Sequence, residues 1–514
     1  MAIPKIMGTE TEYGLQLFHP REAPFHYPSE LASIVVDYVA KTAGGQFVQW
    51  AYEFENQQDL LRDFAGVTNS HAHRPLRELP PVRRPWPSDD FISAVRQDHR
   101  RDVLLPNGAR AYPDHAHPEY STPECMTVHE LIAQEKAGER IMELARKEMM
   151  RVYKEAFVDC ADDLELLLYK MNVDSFGNSF GAHENYFVDR KAQSPLQLMH
   201  ELVPHLVTRI IYCGSGDIKG DHFEISQRAC HFSELHGLQT THDRPVFNTR
   251  DEPHADAEKY IRLHVICGDA NMSEVSLLMK MGFTRLVLEL IEDRVLDVNK
   301  VALQDPVSAF HEISQDLELS CLYRMADDRQ LTAINIQELY LDAAQKHFGS
   351  DGTDEQKMYV REWERALDLL KNDRGKLTRD VDWLLKYDLL DKYRARHHCP
   401  WDAQPMRLLA LRYHDIQESG NYNRLVSKGV PRRVVTEEDI QRAMMSPPED
   451  TRAYARAGIA KRFPHAIRCV NWEGVVGMNG ESLLFNPQNG TKKQVGATLD
   501  SATSFSQLVK EVSS

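Results

Sequence analysis

Two carboxylates that can hold a divalent cation stand near the start of the chain. Residues 5–17 read KIMGTETEYGLQL, with Glu10 and Glu12 on one parity and apolar side chains such as Met7 and Leu15 on the other. Alternation with a period of two predicts a strand that presents both carboxylates on one face, about 7 Å apart. Mg²⁺ prefers such hard oxygen ligands. Taken alone, an E-x-E pair is more typical of an exposed acidic strand face.

A second segment, 107–124, reads NGARAYPDHAHPEYSTPE and mixes acids, bases and cations more densely than a connecting loop requires. Arg110, Tyr112 and Asp114 share one strand parity, and Glu119 follows in the turn after them. A carboxylate can bind metal, remove a proton or attack a carbonyl, and arginine donates to phosphate oxygens. We therefore interpret Asp114 as a nucleophile or general base, Glu119 as a metal ligand and Arg110 as a phosphate donor.

Two later segments add glycine, histidine and arginine. Residues 174–188 read DSFGNSFGAHENYFV, in which the glycines let the backbone approach a ligand closely. Residues 248–271 read NTRDEPHADAEKYIRLHVICGDAN, with Arg250 in a loop and with Arg262 and His264 two apart on one strand face. A strand histidine beside an arginine indicates metal and phosphate rather than core packing. The four segments together predict a metal–nucleotide site on an open sheet.

Hydrophobic periodicity indicates the elements that position these residues. Short strands are predicted at 5–17, 103–112, 166–171, 183–188, 223–228 and 260–267, and helices over 127–157 and through most of 271–396. Between residues 53 and 101 the periodicity fades, and five prolines crowd a polar stretch that favours neither helix nor strand. We interpret 53–101 as a long mobile insertion, a length that is usually functional.

Composition excludes several classes of protein. The 514 residues contain 61 Lys+Arg and 77 Asp+Glu, and this net charge of −16 argues against general nucleic-acid binding. The eight cysteines form no C-x-x-C pair or dense framework, which argues against structural zinc and disulfides. No signal peptide or run of about 18 apolar residues is evident, so we expect a cytoplasmic protein without a membrane span.

The segment 421–470 has the opposite charge balance from the chain as a whole. It holds ten Lys/Arg against five Asp/Glu, a local charge of +5. Such a segment is usually a solvated helical surface, but it can also be a basic groove for an acidic partner.

Long motifs in these segments resemble the Dop–PafA family of pupylation enzymes. The motifs are GTETEYG, NGARAYPDHAHPEYSTPEC, HENY, SQRA, NTRDEPHADAEKY and PPEDTRAY, and the match covers nearly the whole chain. The resemblance implies an α+β fold, in which a curved antiparallel sheet is backed by helices as in glutamine synthetase and carboxylate–amine ligases. It also implies a catalytic domain over 1–430, with the insertion at about 53–101, and a small C-terminal domain over 431–514.

The resemblance also implies roles for individual residues. Mg²⁺ would be bound by Glu10 and Glu119, with Glu12 and His264 as further ligands and Tyr112 in contact through water, because a neutral phenol is a poor Mg²⁺ ligand. ATP would be contacted by Arg110, Thr122 and Trp472, to which we add Arg250 from its loop. Asp114 matches the catalytic aspartate of the family.

Pro113 departs from the pattern of the family, which usually has a β-branched residue at this position. Proline removes a backbone donor beside Asp114 and restrains Tyr112. The sequence therefore predicts that this strand is bulged or lies at an edge.

Two features favour the deamidase and depupylase branch of the family: the sequence DHAHPE from Asp114 onward and the insertion before that strand. DSFGNSFG and NMSE lean toward the ligase branch. The expected activity is hydrolysis of the isopeptide between the C-terminal residue of Pup and a substrate Lys, together with deamidation of a C-terminal Gln of Pup. The expected cofactors are Mg²⁺ and ATP, or ADP plus phosphate, and the expected partners are Pup and pupylated proteins. The alternatives are a Pup–protein ligase, a small-molecule carboxylate–amine ligase and a non-catalytic Pup adaptor.

Overall fold

The computed structural model describes residues 2–18, 27–51, 58–61, 101–174 and 176–513. The insertion predicted at 53–101 lies outside the described residues except for 58–61 and 101, so its interpretation stays a prediction. The strands are β1 Met7–Glu12, β2 Gly14–Phe18, β3 Gln46–Val48, β4 Gln58–Asp59, β5 Asp102–Leu104, β6 Arg110–Asp114, β7 His117–Ser121, β8 Glu165–Tyr169, β9 Ala182–Asp189, β10 Asp217–Lys219, β11 His222–Glu224, β12 Phe232–Gly237, β13 Arg244–Asn248, β14 Arg250–Asp251, β15 Tyr260–Val265, β16 Tyr323–Arg324, β17 Gln330–Leu331, β18 Ile467–Val470, β19 Gly474–Gly477 and β20 Ser482–Leu484.

Helices occupy much of the rest of the described chain. They are α1 Pro28–Ala43, α2 Val128–Ala156, α3 Pro195–Thr208, α4 Ile210–Cys213, α5 Glu274–Glu292, α6 Val298–Val301, α7 Pro306–Gln315, α8 Ala333–Phe348, α9 Asp354–Asn372, α10 Asp382–His397, α11 Gln404–Tyr413, α12 Asn421–Ser427, α13 Glu437–Met445, α14 Ala453–Arg462, α15 Lys492–Ser501 and α16 Phe505–Ser513. The predicted long helix at 127–157 and the helical region 271–396 are confirmed. In the described ranges no helix is long and apolar enough to cross a membrane.

A seven-stranded sheet is the central element, with the strand order β15-β9-β1-β7-β6-β5-β3. All six of its pairings are antiparallel. The predicted α+β fold, with an antiparallel sheet backed by helices, is therefore confirmed. Strand β1 lies between β7 and β9, so residues from three predicted segments become neighbours on one sheet.

The face of the sheet behind β1 packs on helix α2. Thr9 and Thr11 donate from their hydroxyls to the buried carboxylate of Glu135, at 2.5 and 2.7 Å. Because side chains alternate along a strand, these contacts turn Glu10 and Glu12 to the opposite, open face. The parity that the sequence predicts for the two carboxylates is confirmed.

Two predicted strands are each divided in the structure. The strand predicted at 5–17 ends at Glu12, and its second half, β2, pairs with β8 outside the main sheet. The strand predicted at 103–112 is the hairpin β5–β6, because the chain reverses at 105–109, where Gly108 has a φ of +81°. Periodicity cannot detect such breaks, since the apolar parity continues across both of them.

The edge prediction for Pro113 is confirmed, and the bulge prediction is wrong. Pro113 lies opposite Pro118 in a regular β6–β7 register, whereas β5 pairs only with residues 110 and 111 of β6. No described neighbouring strand therefore needs the hydrogen-bond donor that Pro113 lacks.

A second hydrophobic cluster combines the C-terminal elements with part of the main sheet. Val470, Val475, Leu499 and Phe505 pack there with other residues from 455 to 508, and Trp50 and Leu104 join them. The division into domains 1–430 and 431–514 stays a prediction.

Candidate active site

The open face of the sheet brings six potential metal ligands into two groups. Glu10, His183 and His264 form the first group, and Glu12, Asp114 and Glu119 form the second. Within each group, one ligand atom from every side chain lies within 4.8 Å of the others. The sheet register explains the grouping, because Glu10 lies opposite His183, and Glu12 lies opposite Glu119.

Glu10 is surrounded by donors on neighbouring strands. Asn185 donates to its Oε1 at 3.0 Å, and Arg262 Nη1 lies 3.3 Å from the same oxygen. His183 Nδ1 and His264 Nε2 lie 3.2 and 3.4 Å from its Oε2. Burial alone would raise the pKa of Glu10, but the histidines and Arg262 outweigh it and hold that pKa well below its usual range. Glu10 is therefore a carboxylate at neutral pH.

One of the two histidines of this group, His264, is kept neutral by its surroundings. Burial and the charge of Arg262 lower the pKa of His264 to about 3. His264 Nε2 lies 3.4 Å from Glu10 Oε2, whereas its Nδ1 is buried without a hydrogen-bond partner. Neutral imidazole is the form that binds metals, so this buried ring fits a metal ligand.

Glu12 and Glu119 face each other across β1 and β7. The backbone N–H of Gly181 donates to Glu12 Oε1 at 2.8 Å, and His117 Nδ1 lies 3.2 Å from Glu12 Oε2. Tyr112 donates its hydroxyl to Glu119. Burial and the nearby carboxylates raise the pKa of Glu119 well above its usual range. A cation would offset this repulsion, and the all-oxygen donor set fits Mg²⁺.

Asp114 ends β6 at the mouth of the site, with its side chain 38% exposed. The adjacent residue His115 has a φ of +52°, and its Nδ1 lies 2.9 Å from Asp114 Oδ1. Burial would raise the pKa of Asp114, but the hydrogen bond and charge of His115, together with His183 and His117, lower it by more, so the carboxylate is charged at neutral pH. This geometry leaves an accessible oxygen nucleophile or base beside Glu12 and Glu119.

Arg110 is held from three sides. Its guanidinium carbon lies 4.0 Å from the centre of the Trp50 ring and 3.9 Å from that of Tyr112. Its Nε and Nη2 donate to Asp102 Oδ1 at 2.8 and 2.5 Å. Trp472 in turn packs edge-on against Trp50. Asp102 therefore already occupies one edge of the guanidinium. The contact of Arg110 with phosphate stays a prediction.

A cavity opens beside Glu10, which is one of its lining residues. Its wall includes Thr122 and Trp472, two of the predicted ATP contacts, together with His254 and Arg452. The other two predicted contacts, Arg110 and Arg250, are not among its lining residues. Arg250 lies on the short strand β14, which pairs with β4.

Sequence analysis assigned no role to Glu124, the last residue of the segment 107–124. Glu124 accepts from Arg452 Nε at 2.7 Å and from Arg456 Nη2 at 2.6 Å. Burial would raise the pKa of Glu124, but the two arginines lower it to about 2. The motif PPEDTRAY carries Arg452, yet nothing local indicates a partner 328 residues away.

Ion pairs neutralise much of the basic excess of 421–470. Within the described chain, four of its ten basic side chains face acidic partners outside the segment, and these are Arg432, Arg433, Arg452 and Arg456. A groove built on this segment is therefore less positive than its composition suggests.

Comparisons with known proteins find relatives over nearly the whole chain. The family model described as Pup-ligase protein matches residues 5–476. The Pup deamidase/depupylase of Mycolicibacterium smegmatis is 40% identical, with 99% of each chain covered. A Pup–protein ligase of Acidimicrobium ferrooxidans is 41% identical over 74% of this chain and 85% of its own.

Solved structures of PafA show the same fold. PafA in complex with Pup has a TM-score of 0.75 and 30% identity, covering 99% of this chain and 92% of its own. PafA in complex with ADP has a TM-score of 0.70 and 31% identity, covering 85% and 98%. Since the family model and a full-length relative both match most of the sequence, this chain belongs to the Pup-ligase protein family.

Proposed function

We propose that this chain hydrolyses the isopeptide bond between the C-terminal residue of Pup and a substrate lysine, and deamidates a C-terminal glutamine of Pup. The main observation in support of this proposal is the accessible carboxylate of Asp114. This carboxylate lies beside Glu12 and Glu119 on the open face of the sheet. The end-to-end similarity to a Pup deamidase/depupylase supports hydrolysis rather than ligation. Pup and pupylated proteins are then its partners.

The proposed cofactors are Mg²⁺ and ATP, or ADP plus phosphate. Glu12 and Glu119 would hold Mg²⁺ with oxygen ligands, and Tyr112 would contact this ion through water. Glu10 and His264 would bind a second metal ion. When bound, the cation would supply positive charge to phosphate oxygens and to an oxyanion. The ADP complex of PafA supports nucleotide binding, and the cavity beside Glu10 offers Thr122 and Trp472 to a nucleotide.

Asp114 performs the proposed chemical step. In one route, its carboxylate takes a proton from the attacking water and passes it to the leaving amine. In the other route, the carboxylate attacks the carbonyl carbon and displaces the amine, which takes a proton from water, and water then hydrolyses the mixed anhydride and restores Asp114. His115 Nδ1 holds Asp114 Oδ1 in place, so the second oxygen is free to act. The hydroxyl of Tyr112 fixes Glu119 on the neighbouring strand. The sum of the reaction is amide plus water giving carboxylate plus amine, and it consumes no ATP.

The test uses a purified Pup–substrate conjugate with Mg²⁺ and ATP, comparing the unmodified chain with Asp114→Asn. We expect release of unmodified substrate without stoichiometric ADP, and a loss of about 10²–10⁴-fold in rate for Asp114→Asn. Asp327→Asn, an exposed acid paired with Arg329, is the matched control and should leave the rate unchanged.

The alternative is a Pup–protein ligase, which the 41% identity to such a ligase favours. Joining of free Pup to a lysine-bearing protein, with one ADP formed per bond, would establish the ligase and refute hydrolysis as the main activity. An Asp114→Asn variant with full activity would exclude the assigned role of Asp114 in either reaction.

A further inference from the structure

Phe176 is the most exposed large apolar side chain in the described part of the chain, with 88% of its surface open to solvent. It stands near the tip of the loop between β8 and β9. Isolated exposed apolar residues are common on protein surfaces and need no explanation by themselves. Three further observations distinguish Phe176: the hydrogen bonds within its loop, the link from that loop to a second one with an exposed apolar side chain, and its position near the site.

The loop that carries Phe176 is held by its own hydrogen bonds. Asp174 Oδ1 accepts from the backbone N–H groups of Phe176 and Asn178, both at 2.8 Å. Asp174 Oδ2 accepts from the side chain of Asn178 at 2.9 Å. Gly177 supplies the required φ of +84°. An exposed aromatic side chain on a backbone held by such hydrogen bonds loses little conformational entropy when a partner covers it.

Arg244 joins this loop to a second one. It donates from Nη2 to the carbonyl of Ser179 at 2.7 Å and from Nε to the carbonyl of Thr240 at 2.8 Å. The second loop, at 238–243, begins with Leu238, another large apolar side chain that is 39% exposed. We call residues 176–179 and 238–243 the rim. The two loops of the rim, which carry Phe176 and Leu238, are therefore joined through Arg244.

The rim continues directly into the candidate active site. Phe180 stacks on the ring of His117 with 4.2 Å between ring centres, and His117 Nδ1 lies 3.2 Å from Glu12. The next residue, Gly181, donates its N–H to Glu12. Gly181 follows Phe176 by five positions along the chain, a span of at most about 18 Å. A macromolecule whose bond reaches Asp114 therefore comes close to the rim.

We propose that Phe176 and Leu238 form an apolar contact for the protein that carries the modified lysine, and this inference rests on the proposed function. A lysine side chain has a four-carbon stem, so its parent surface must approach the mouth of the site closely. The acidic Pup chain is a poorer match, since this contact is made by uncharged apolar groups. Rigid aromatic contacts suit partners with different surfaces, because they need apolar area rather than a matched set of charges.

The test compares three substrates: a Pup–protein conjugate, Pup joined to free lysine, and Pup that ends in glutamine. For Phe176→Ala we expect kcat/KM to fall about tenfold for the protein conjugate, mainly through KM, with the other two substrates unchanged. Phe176→Leu keeps apolar area and should retain most of the activity on the conjugate. Leu322→Ala, which removes a side chain that is 57% exposed before β16, is the matched control.

Two outcomes would overturn the proposal. Equal losses of kcat/KM on all three substrates would show that Phe176 shapes the site or contacts Pup. Unchanged kinetics on the protein conjugate would show that Phe176 does not contact the modified protein. Failure of the proposed function is distinguishable, because the unmodified chain would then act on none of the substrates. That result would refute both inferences together.

Discussion

Replacing Glu124 by glutamine tests whether this buried carboxylate fastens α14 to the sheet. Glu124 follows β7, and its two arginine partners lie at the beginning of α14 and within it. The side chains of Arg452 and Arg456 are 4% and 1% exposed. Glutamine keeps the size of the side chain but removes its charge, so two buried guanidinium groups lose their counterion.

Two estimates of the stability lost in Glu124→Gln give the same magnitude. The pKa of Glu124 falls from an ordinary value of about 4.3 to about 2, and each pKa unit corresponds to about 1.4 kcal/mol, which gives about 3 kcal/mol. Breaking a buried ion pair by removing one partner typically costs about 3–5 kcal/mol. We therefore expect Glu124→Gln to lower the free energy of unfolding by about 3 kcal/mol at pH 7.

The pH dependence gives an independent check. Because the pKa of Glu124 is depressed in the folded state, its stabilisation is fully present above about pH 4.3 and is lost as the pH falls toward 2. The difference in free energy of unfolding between the unmodified chain and Glu124→Gln should therefore decrease as the pH falls over this range.

The assay is urea unfolding followed by tryptophan fluorescence and circular dichroism at several pH values. Glu449→Gln is the control, because Glu449 pairs with Lys492 at 2.8 Å on the surface and should contribute less than about 1 kcal/mol. A loss for Glu124→Gln no larger than that of the control would refute the reasoning.

Two glycine substitutions separate the geometry of the site from the packing of the fold. In Gly181→Ala the new methyl group would meet the carboxylate of Glu12, so we expect a loss of about 10–100-fold in Mg²⁺ affinity or activity without a change in melting temperature. Full activity at low Mg²⁺ would contradict this. In Gly138→Ala the methyl group would lie 2.5 Å from the ring of Tyr120 inside the core, which should destabilise the fold by about 1–3 kcal/mol in thermal unfolding. An unchanged melting temperature would show that the core relaxes at no cost.

Local patterns predicted the elements and the side-chain faces well. Helix α2 was predicted from 127 to 157, and Thr127 does cap its first turn by accepting from the N–H of Glu130. The shared parity of Glu10 and Glu12 and the open face they occupy follow from alternation along one strand. Such features depend on neighbours within a few residues, which is the range over which periodicity and capping act.

Long-range partners could not be predicted in the same way. The resemblance implied Glu10, Glu12, Glu119 and His264 as Mg²⁺ ligands, with Tyr112 in contact through water, but it did not say which of them lie together. The structure places the four in two groups, which also contain His183 and Asp114. The grouping depends on the strand order β9-β1-β7, which several registers of the same patterns would permit.

The sequence by itself determined the family, the α+β class, the long helices and the parity of the acidic strand, because motifs and periodicity are properties of contiguous residues. Tertiary structure alone decided that Arg110 pairs with Asp102, that Glu124 binds two arginines of α14, and that the strand predicted at 103–112 is a hairpin. These contacts join residues brought together by sheet register and core packing. Their geometry exists only when the whole chain has folded.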